Sequence, residues 1–255
     1  MTEPRRAARR RITTALCLAA VALGAAWGAA PKWSYTGANG PDRWGAIDSD
    51  FATCAVGRQQ SPLDLTAAAP RDLVNPQPAY VPSAARIVDD GHTVQVDLQP
   101  GSFLTVDGVP YALVQFHFHS PSEHTIDGSS FPVELHLVHR AESGALAVLG
   151  ILVAGGATNP ALAPLLATMP SKVGKDVRLP EAFDPTPLLP SDLRGYRYPG
   201  SLTTPPCTEG VTWIVLATPI QAAGSQIAAF ARVLQGNNRP AQPRGERELV
   251  LDSSP

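Results

Sequence analysis

The stretch that most constrains this chain is Val114–His119, Val-Gln-Phe-His-Phe-His, a run of β-prone residues carrying two histidines two positions apart. Strand side chains alternate between faces, so His117 and His119 share one face while Phe116 and Phe118 take the other. A second strand-like run, Phe131–His139, carries His136 and follows the turn-rich Asp127-Gly128-Ser129-Ser130. An antiparallel return sets His136 beside the first pair. Three imidazoles with no cysteine partner suit a catalytic zinc (Zn2+), which keeps its fourth position for water; a structural zinc is normally closed by a fourth protein ligand. Gln115 and Glu134 each precede a histidine by two residues, on the same strand face, and are placed to accept its second ring N–H. Three satisfied core histidines are the plain alternative, and it leaves the spacing and both polar escorts unexplained.

Further short β-rich runs recur at Thr93–Leu98, Phe103–Val106, Ala112–His119, Val133–His139, Ala145–Val153 and Val211–Thr218, separated by Gly, Pro, Asp and Ser. Asp107-Gly108 reads as a two-residue hairpin turn. Ala145–Val153 is almost wholly apolar, as a central strand buried on both faces would be. Helical patterns are few, at Pro160–Met169 and Ser225–Leu234. The expected class is therefore α+β and β-dominated: one domain with a large, twisted, mostly antiparallel central sheet and short peripheral helices. The 255 residues, 44% of them hydrophobic, suffice for one sizeable core.

Residues 1–30 read as an export signal apart from the fold, leaving 31–255 as the functional domain. Arg5, Arg6, Arg9, Arg10 and Arg11 precede an uncharged, alanine- and leucine-rich stretch, and small residues follow around Gly28–Ala30. The apolar run is shorter than the roughly 20 residues a spanning helix needs, so a retained anchor is the weaker alternative. The expectation is a periplasmic or secreted protein without stable membrane association once the signal is cleaved. Removing the five arginines and Glu3 takes the formal charge from −2 to −6, which argues against nucleic acid as a partner. Outside that segment the cysteines are Cys54 and Cys207, a pair that invites a disulfide in an exported chain; two buried free thiols are the alternative.

Gln115-Phe-His-Phe-His119, Ser122-Glu-His-Thr-Ile126 and Glu134-Leu-His-Leu-Val138 together resemble the alpha-class carbonic anhydrases. The likeness extends through Trp33-Ser-Tyr35, Asn39–Trp44, Arg58–Pro62, Tyr198–Pro206, Thr212-Trp213 and Asn237–Pro243, in the family's order. It implies reversible hydration of CO2 to bicarbonate, by attack of zinc-bound hydroxide and with a histidine proton shuttle. His117, His119 and His136 match the zinc ligands; Gln115, Glu134 and Asn237 match residues that support them. Thr203 matches a gatekeeper that accepts a hydrogen bond from the hydroxide and donates to Glu123, with Thr204 beside it. Val138, Val148, Leu202, Val211 and Trp213 match the apolar wall that holds CO2. His92 matches the shuttle, with Tyr35 and Gln95 ordering its water chain. His124, His139, Tyr198 and Arg239 match structural members of the buried network.

The resemblance also implies a Cys54–Cys207 disulfide and cis prolines at Ser61-Pro62 and Pro205-Pro206. Secreted bacterial relatives are often dimers, so a homodimer is an expectation to which no interface residue can be attached. Two departures stand out. Asp90 occupies a position where many relatives have asparagine, and Asn238 replaces a common tryptophan.

Overall fold

The computed structural model describes residues 33–254; the expected signal segment, residues 1–30, lies outside them. The strands, in chain order, are β1 (Ala69–Arg71), β2 (Gln77–Ala79), β3 (Ala85–Asp89), β4 (Val94–Leu98), β5 (Phe103–Val106), β6 (Val109–His119) and β7 (Thr125–Ile126). They continue with β8 (Ser129–Ser130), β9 (Val133–Ala141), β10 (Leu146–Gly155), β11 (Asp176–Arg178), β12 (Gly195–Ser201), β13 (Glu209–Ala222) and β14 (Val250–Asp252). Four short α-helices flank them: α1 (Trp44–Ile47), α2 (Thr53–Val56), α3 (Ala163–Ala167) and α4 (Gly224–Leu234). Twelve strands form one sheet in the order β1-β14-β12-β13-β10-β9-β6-β4-β3-β11, with β5 on β6 and β2 on β5. Pairing is antiparallel except at β1–β14 and β10–β13, and β7–β8 form a separate small hairpin. The β-dominated α+β class and its mostly antiparallel sheet are as expected from the sequence.

The strands at the middle of this sheet bury both faces, and the two faces do different work. Leu135, Leu137, Leu149, Ile151, Ile214 and Leu216 face a large apolar core that Phe230 and Leu234 of α4 help cover. Val148, Leu152, Val211, Trp213 and Val215, alternating with them, face a second cluster with Leu63, Leu65, Tyr198 and Leu249. His139, odd-numbered on β9, lies on the first face and meets the Tyr80 hydroxyl at 2.9 Å through Nε2. His136 lies on the second.

In β6 the alternation changes phase. Tyr111, Leu113, Phe116 and Phe118 all point into the large core, a spacing of two, three and two. The extra residue is Val114, where the pairing with β9 slips from Leu113↔His139 to Gln115↔Val138. This bulge takes up one residue without a partner. It moves Gln115, His117 and His119 onto the face opposite Tyr111 and Leu113. The strand expected over Ala112–His119 is thus interrupted at Val114 by a bulge.

Asp107 and Gly108 close the β5–β6 hairpin with φ of 50° and 80°, the left-handed pair such a turn requires. Ser61–Pro62 and Pro205–Pro206 are cis as expected, and Ser120–Pro121 is cis as well. Cys54 of α2 is bonded to Cys207, closing a sequence separation of 153 residues. Loop closure of that length constrains the unfolded chain strongly. The Cys54→Ser/Cys207→Ser double variant should therefore lose roughly 2–5 kcal/mol of stability, read as a lower denaturant midpoint with little change in far-ultraviolet circular dichroism.

Candidate metal centre

His117 and His136 are register partners on β6 and β9, and His119 pairs with Glu134. Their ring centroids lie 5.2 Å apart for His117 and His136, 5.1 Å for His117 and His119, and 4.5 Å for His119 and His136. Each ring has one nitrogen already engaged. His117 Nδ1 meets Gln115 Oε1 at 2.9 Å, His119 Nδ1 meets the Asn237 carbonyl at 2.7 Å, and His136 Nε2 meets Glu134 Oε1 at 2.9 Å. All three partners are acceptors, so each engaged nitrogen carries the proton. The lone pairs left over are on His117 Nε2, His119 Nε2 and His136 Nδ1.

His119 Nε2 is buried with no hydrogen-bond partner among the described residues. A buried acceptor without a partner is costly, and a metal ion satisfies it. The three histidines can each offer one atom within 4.8 Å of the others. Burial holds all three rings neutral by lowering their pKa values, and for His117 and His136 the neighbouring rings add to this. A neutral imidazole is the ligating form. The donor set, the free lone pairs and the neutrality therefore fit a zinc ion held by nitrogen.

Glu134 anchors the arrangement. Its Oε2 accepts the backbone N–H of Glu123 and of His124, both at 2.9 Å, and its Oε1 accepts His124 Nδ1 at 2.6 Å as well as His136 Nε2. Burial alone would push this carboxyl up, but the two histidines and these hydrogen bonds hold it well below the usual carboxylate range. Gly150 stands opposite His136 on β10, and a Cβ there would come within 3.1 Å of Glu134 Oε1. No motif marks Gly150 in the sequence; its lack of a side chain leaves room for the carboxylate. The Tyr198 hydroxyl extends the network, 2.6 Å from His124 Nε2 and 3.1 Å from Ser61 Oγ.

Glu123 is fully enclosed. Its Oε1 accepts the Arg239 backbone N–H at 2.8 Å and lies 3.6 Å from His119 Nδ1. Burial pushes the carboxyl up to about 7, against the lowering influence of His136, Arg239 N–H and the Thr203 side chain. Val138, Val148, Leu202, Val211 and Trp213 come together in the second apolar cluster, and the Trp213 ring lies 4.8 Å from that of His136. Thr204 lies in the turn after Thr203, where its carbonyl accepts Cys207 N–H at 2.8 Å. Gln95 is paired with His117 across β4 and β6, with its amide donating to Asp97.

His92 stands apart from the three histidines, half-buried on the turn before β4, with its ring stacked on Trp33 at 3.6 Å between centroids. Its carbonyl accepts Asn237 Nδ2 at 3.0 Å, so Asn237 touches both this turn and His119. The Tyr35 hydroxyl is buried and has no hydrogen-bond partner among the described residues, with its pKa raised chiefly by burial and then by Glu123 and Asp90.

A family model described as eukaryotic-type carbonic anhydrase matches residues 39–252. The chain belongs to that family. A carbonic anhydrase from Nostoc sp. is 44% identical over 228 residues, 87% of this chain and 86% of the relative. An alpha-carbonic anhydrase from Thermovibrio ammonificans, solved with the inhibitor sulfanilamide, superposes with a TM-score of 0.84 at 40% identity, covering 86% of this chain and 98% of that one. Dioscorin solved with ascorbate has a TM-score of 0.81 at 32% identity, covering 88% and 98%. Membership makes this chain an enzyme of the carbonic anhydrase type, while the shared fold alone does not assign the roles of its residues.

Replacing Glu134 by Gln would put an amide NH2 where four N–H groups now converge on a carboxylate. At least one buried donor would be left facing another donor. Glu134→Gln should cost roughly 2–5 kcal/mol of stability. The folded pKa of Glu134 is depressed, so its contribution is complete above the unfolded carboxyl's pKa and is lost as pH falls through the folded value. Urea denaturation at pH 7 and at progressively lower pH should therefore show the gap between wild type and variant narrowing in acid.

Proposed function

We propose that the chain catalyses the reversible hydration of CO2 to bicarbonate and a proton with zinc held by His117 Nε2, His119 Nε2 and His136 Nδ1, and with His92 relaying the proton. The observation that carries this reading is the set of three converging lone pairs, each on a ring whose other nitrogen is tied to an acceptor. When bound, zinc supplies a hydroxide nucleophile at neutral pH by acidifying water, a property for which carbonic anhydrase is itself the reference case.

The chain's own residues orient, shelter and deprotonate. The Thr203 side chain acts on the Glu123 carboxyl, lowering its pKa against burial. A Thr203 hydroxyl that donates to this carboxylate would keep its lone pairs free to accept a hydrogen bond from the nucleophile. That fixes the direction of attack on the substrate carbon, the kind of alignment that separates productive from idle encounters. Val138, Val148, Leu202, Val211 and Trp213 offer CO2 an apolar surface beside this point, with Thr204 at its edge. Each hydration also releases a proton. His92 accepts it on its ring and passes it to solvent, over water ordered by Tyr35 and Gln95. Burial lowers the pKa of His92 and Asp90 opposes that shift, so the ring is largely neutral, and able to accept, at neutral pH and above.

The same reading places the enzyme outside the cytoplasm, periplasmic or secreted, with residues 1–30 removed as an export signal and 31–255 as the catalytic domain. The Cys54–Cys207 disulfide supports an oxidising compartment. Among the described residues no helix is long and apolar enough to cross a membrane.

His117→Ala should lose zinc, measured by elemental analysis, and with it CO2 hydration in a stopped-flow assay. Retention of both would end the ligand assignment. His92→Ala should keep its zinc yet turn over roughly tenfold to a hundredfold more slowly in weak buffer, with the deficit shrinking as buffer concentration rises. Unchanged turnover in weak buffer removes the relay assignment and leaves the zinc site standing.

A further inference from the structure

The turn that carries His92 is fixed from several sides. Asp90 Oδ1 accepts the backbone N–H of both His92 and Thr93, each at 2.8 Å, and Asp90 N–H donates to Thr93 O at 3.2 Å. Gly91 stands between them at φ +88°, a left-handed value that glycine adopts freely. The His92 carbonyl is taken by Asn237 Nδ2 and the ring lies flat on Trp33, with 9° between the planes. The Thr93 hydroxyl is bound in turn to the Phe118 carbonyl at 2.5 Å.

An asparagine would serve this turn as well as an aspartate, because its Oδ1 accepts the same two N–H groups. What the carboxylate adds is charge. That charge is within electrostatic reach of both His92 and Tyr35. We propose that Asp90 is a positioning residue for proton release: it fixes the His92 ring through the turn, and its negative charge stabilises the imidazolium that exists while a proton is in transit. The proposal rests on His92 being the relay.

The surroundings of the ring make Asp90 the informative charge to alter. On the same turn, Asp89 spends one carboxylate oxygen on Gly91 N–H at 3.0 Å. Behind the turn, Lys172 and Lys175 flank Val173, and the Lys175 carbonyl accepts Asp89 N–H. The end of α4 and the residue after it contribute the uncharged Val233, Leu234 and Gln235 to the cleft beside His92. The amino-terminal segment contributes Trp33 and Tyr35, and the segment after α4 contributes the neutral Asn237.

The test follows the His92 ring signals through a pH titration by NMR in the zinc-loaded protein, for wild type, Asp90→Asn and Asp89→Asn. Asp90→Asn keeps the turn acceptor and should lower the His92 midpoint by roughly half a pH unit or more while the ring stays stacked on Trp33. Asp89→Asn should move it less. An unmoved midpoint in Asp90→Asn, or an equal shift in both variants, would overturn the proposal and leave the relay reading intact. The pH profile of turnover in weak buffer should follow the ring midpoint downward. A ring that shifts while the profile does not would overturn the relay reading, and the proposal with it.

Discussion

A strand offers two faces and nothing between them, and the central constraint on this fold is that β6 has to serve both. Its first half must send Tyr111 and Leu113 into the large core, and its second half must send Phe116 and Phe118 to that same core. An uninterrupted strand cannot do this, since odd and even positions oppose one another. The extra residue at Val114 resolves the conflict by resetting the phase. With the phase reset, Gln115, His117 and His119 oppose Val138, His136 and Glu134 on the other side of the sheet. Without it, the histidines would be turned into the aliphatic core. The metal-binding geometry is thus a consequence of how the apolar residues are spaced.

Once on the right face, the rings still need defined tautomers, and Glu134 supplies much of that definition. A carboxylate can only accept, so His136 must present a proton at Nε2 and a lone pair at Nδ1. The same carboxylate takes the backbone N–H groups of Glu123 and His124. The loop after β6 is therefore registered to β9 through the group that sets the ligand. The cost of burying this charge is offset by four donors, the condition under which buried carboxylates are tolerated.

Much of this was legible because strand periodicity is a local property. The facing of His117, His119 and His136, the escorts Gln115 and Glu134, the Asp107-Gly108 turn and the fully buried β10 all follow from residues a few positions apart. The bulge left a trace in the spacing of Tyr111, Leu113, Phe116 and Phe118, but a strand read as a simple alternation hides it. Long-range partners were not legible from pattern alone. Asn237 reaches His119 and His92 across separations of 118 and 145 residues, and only the resemblance to a family pointed to it. Gly150 has no motif at all; its part is the space it leaves, which appears only when β9 and β10 are laid side by side. Strands as short as β1, β2 and β14 carry too few residues to show a period.

The disulfide bears on the chemistry through two short connections. Cys207 closes the turn that follows Thr203, since its N–H is bound to the Thr204 carbonyl and its sulfur to Cys54 on α2. Arg239 makes the second connection. Its guanidinium is bound to the Cys54 carbonyl, Gln60 Oε1 and the Ser61 carbonyl, and it lies over the Trp44 ring, while its backbone N–H holds Glu123 Oε1. Thr203 and Glu123 are thus tethered, by different routes, to the same short helix. A helix of four residues has little stability of its own. It holds its place because the sulfur bridge fastens it to the β12–β13 connection and a buried guanidinium fastens it to the segment after α4, and both of the groups that would align the nucleophile depend on that fastening.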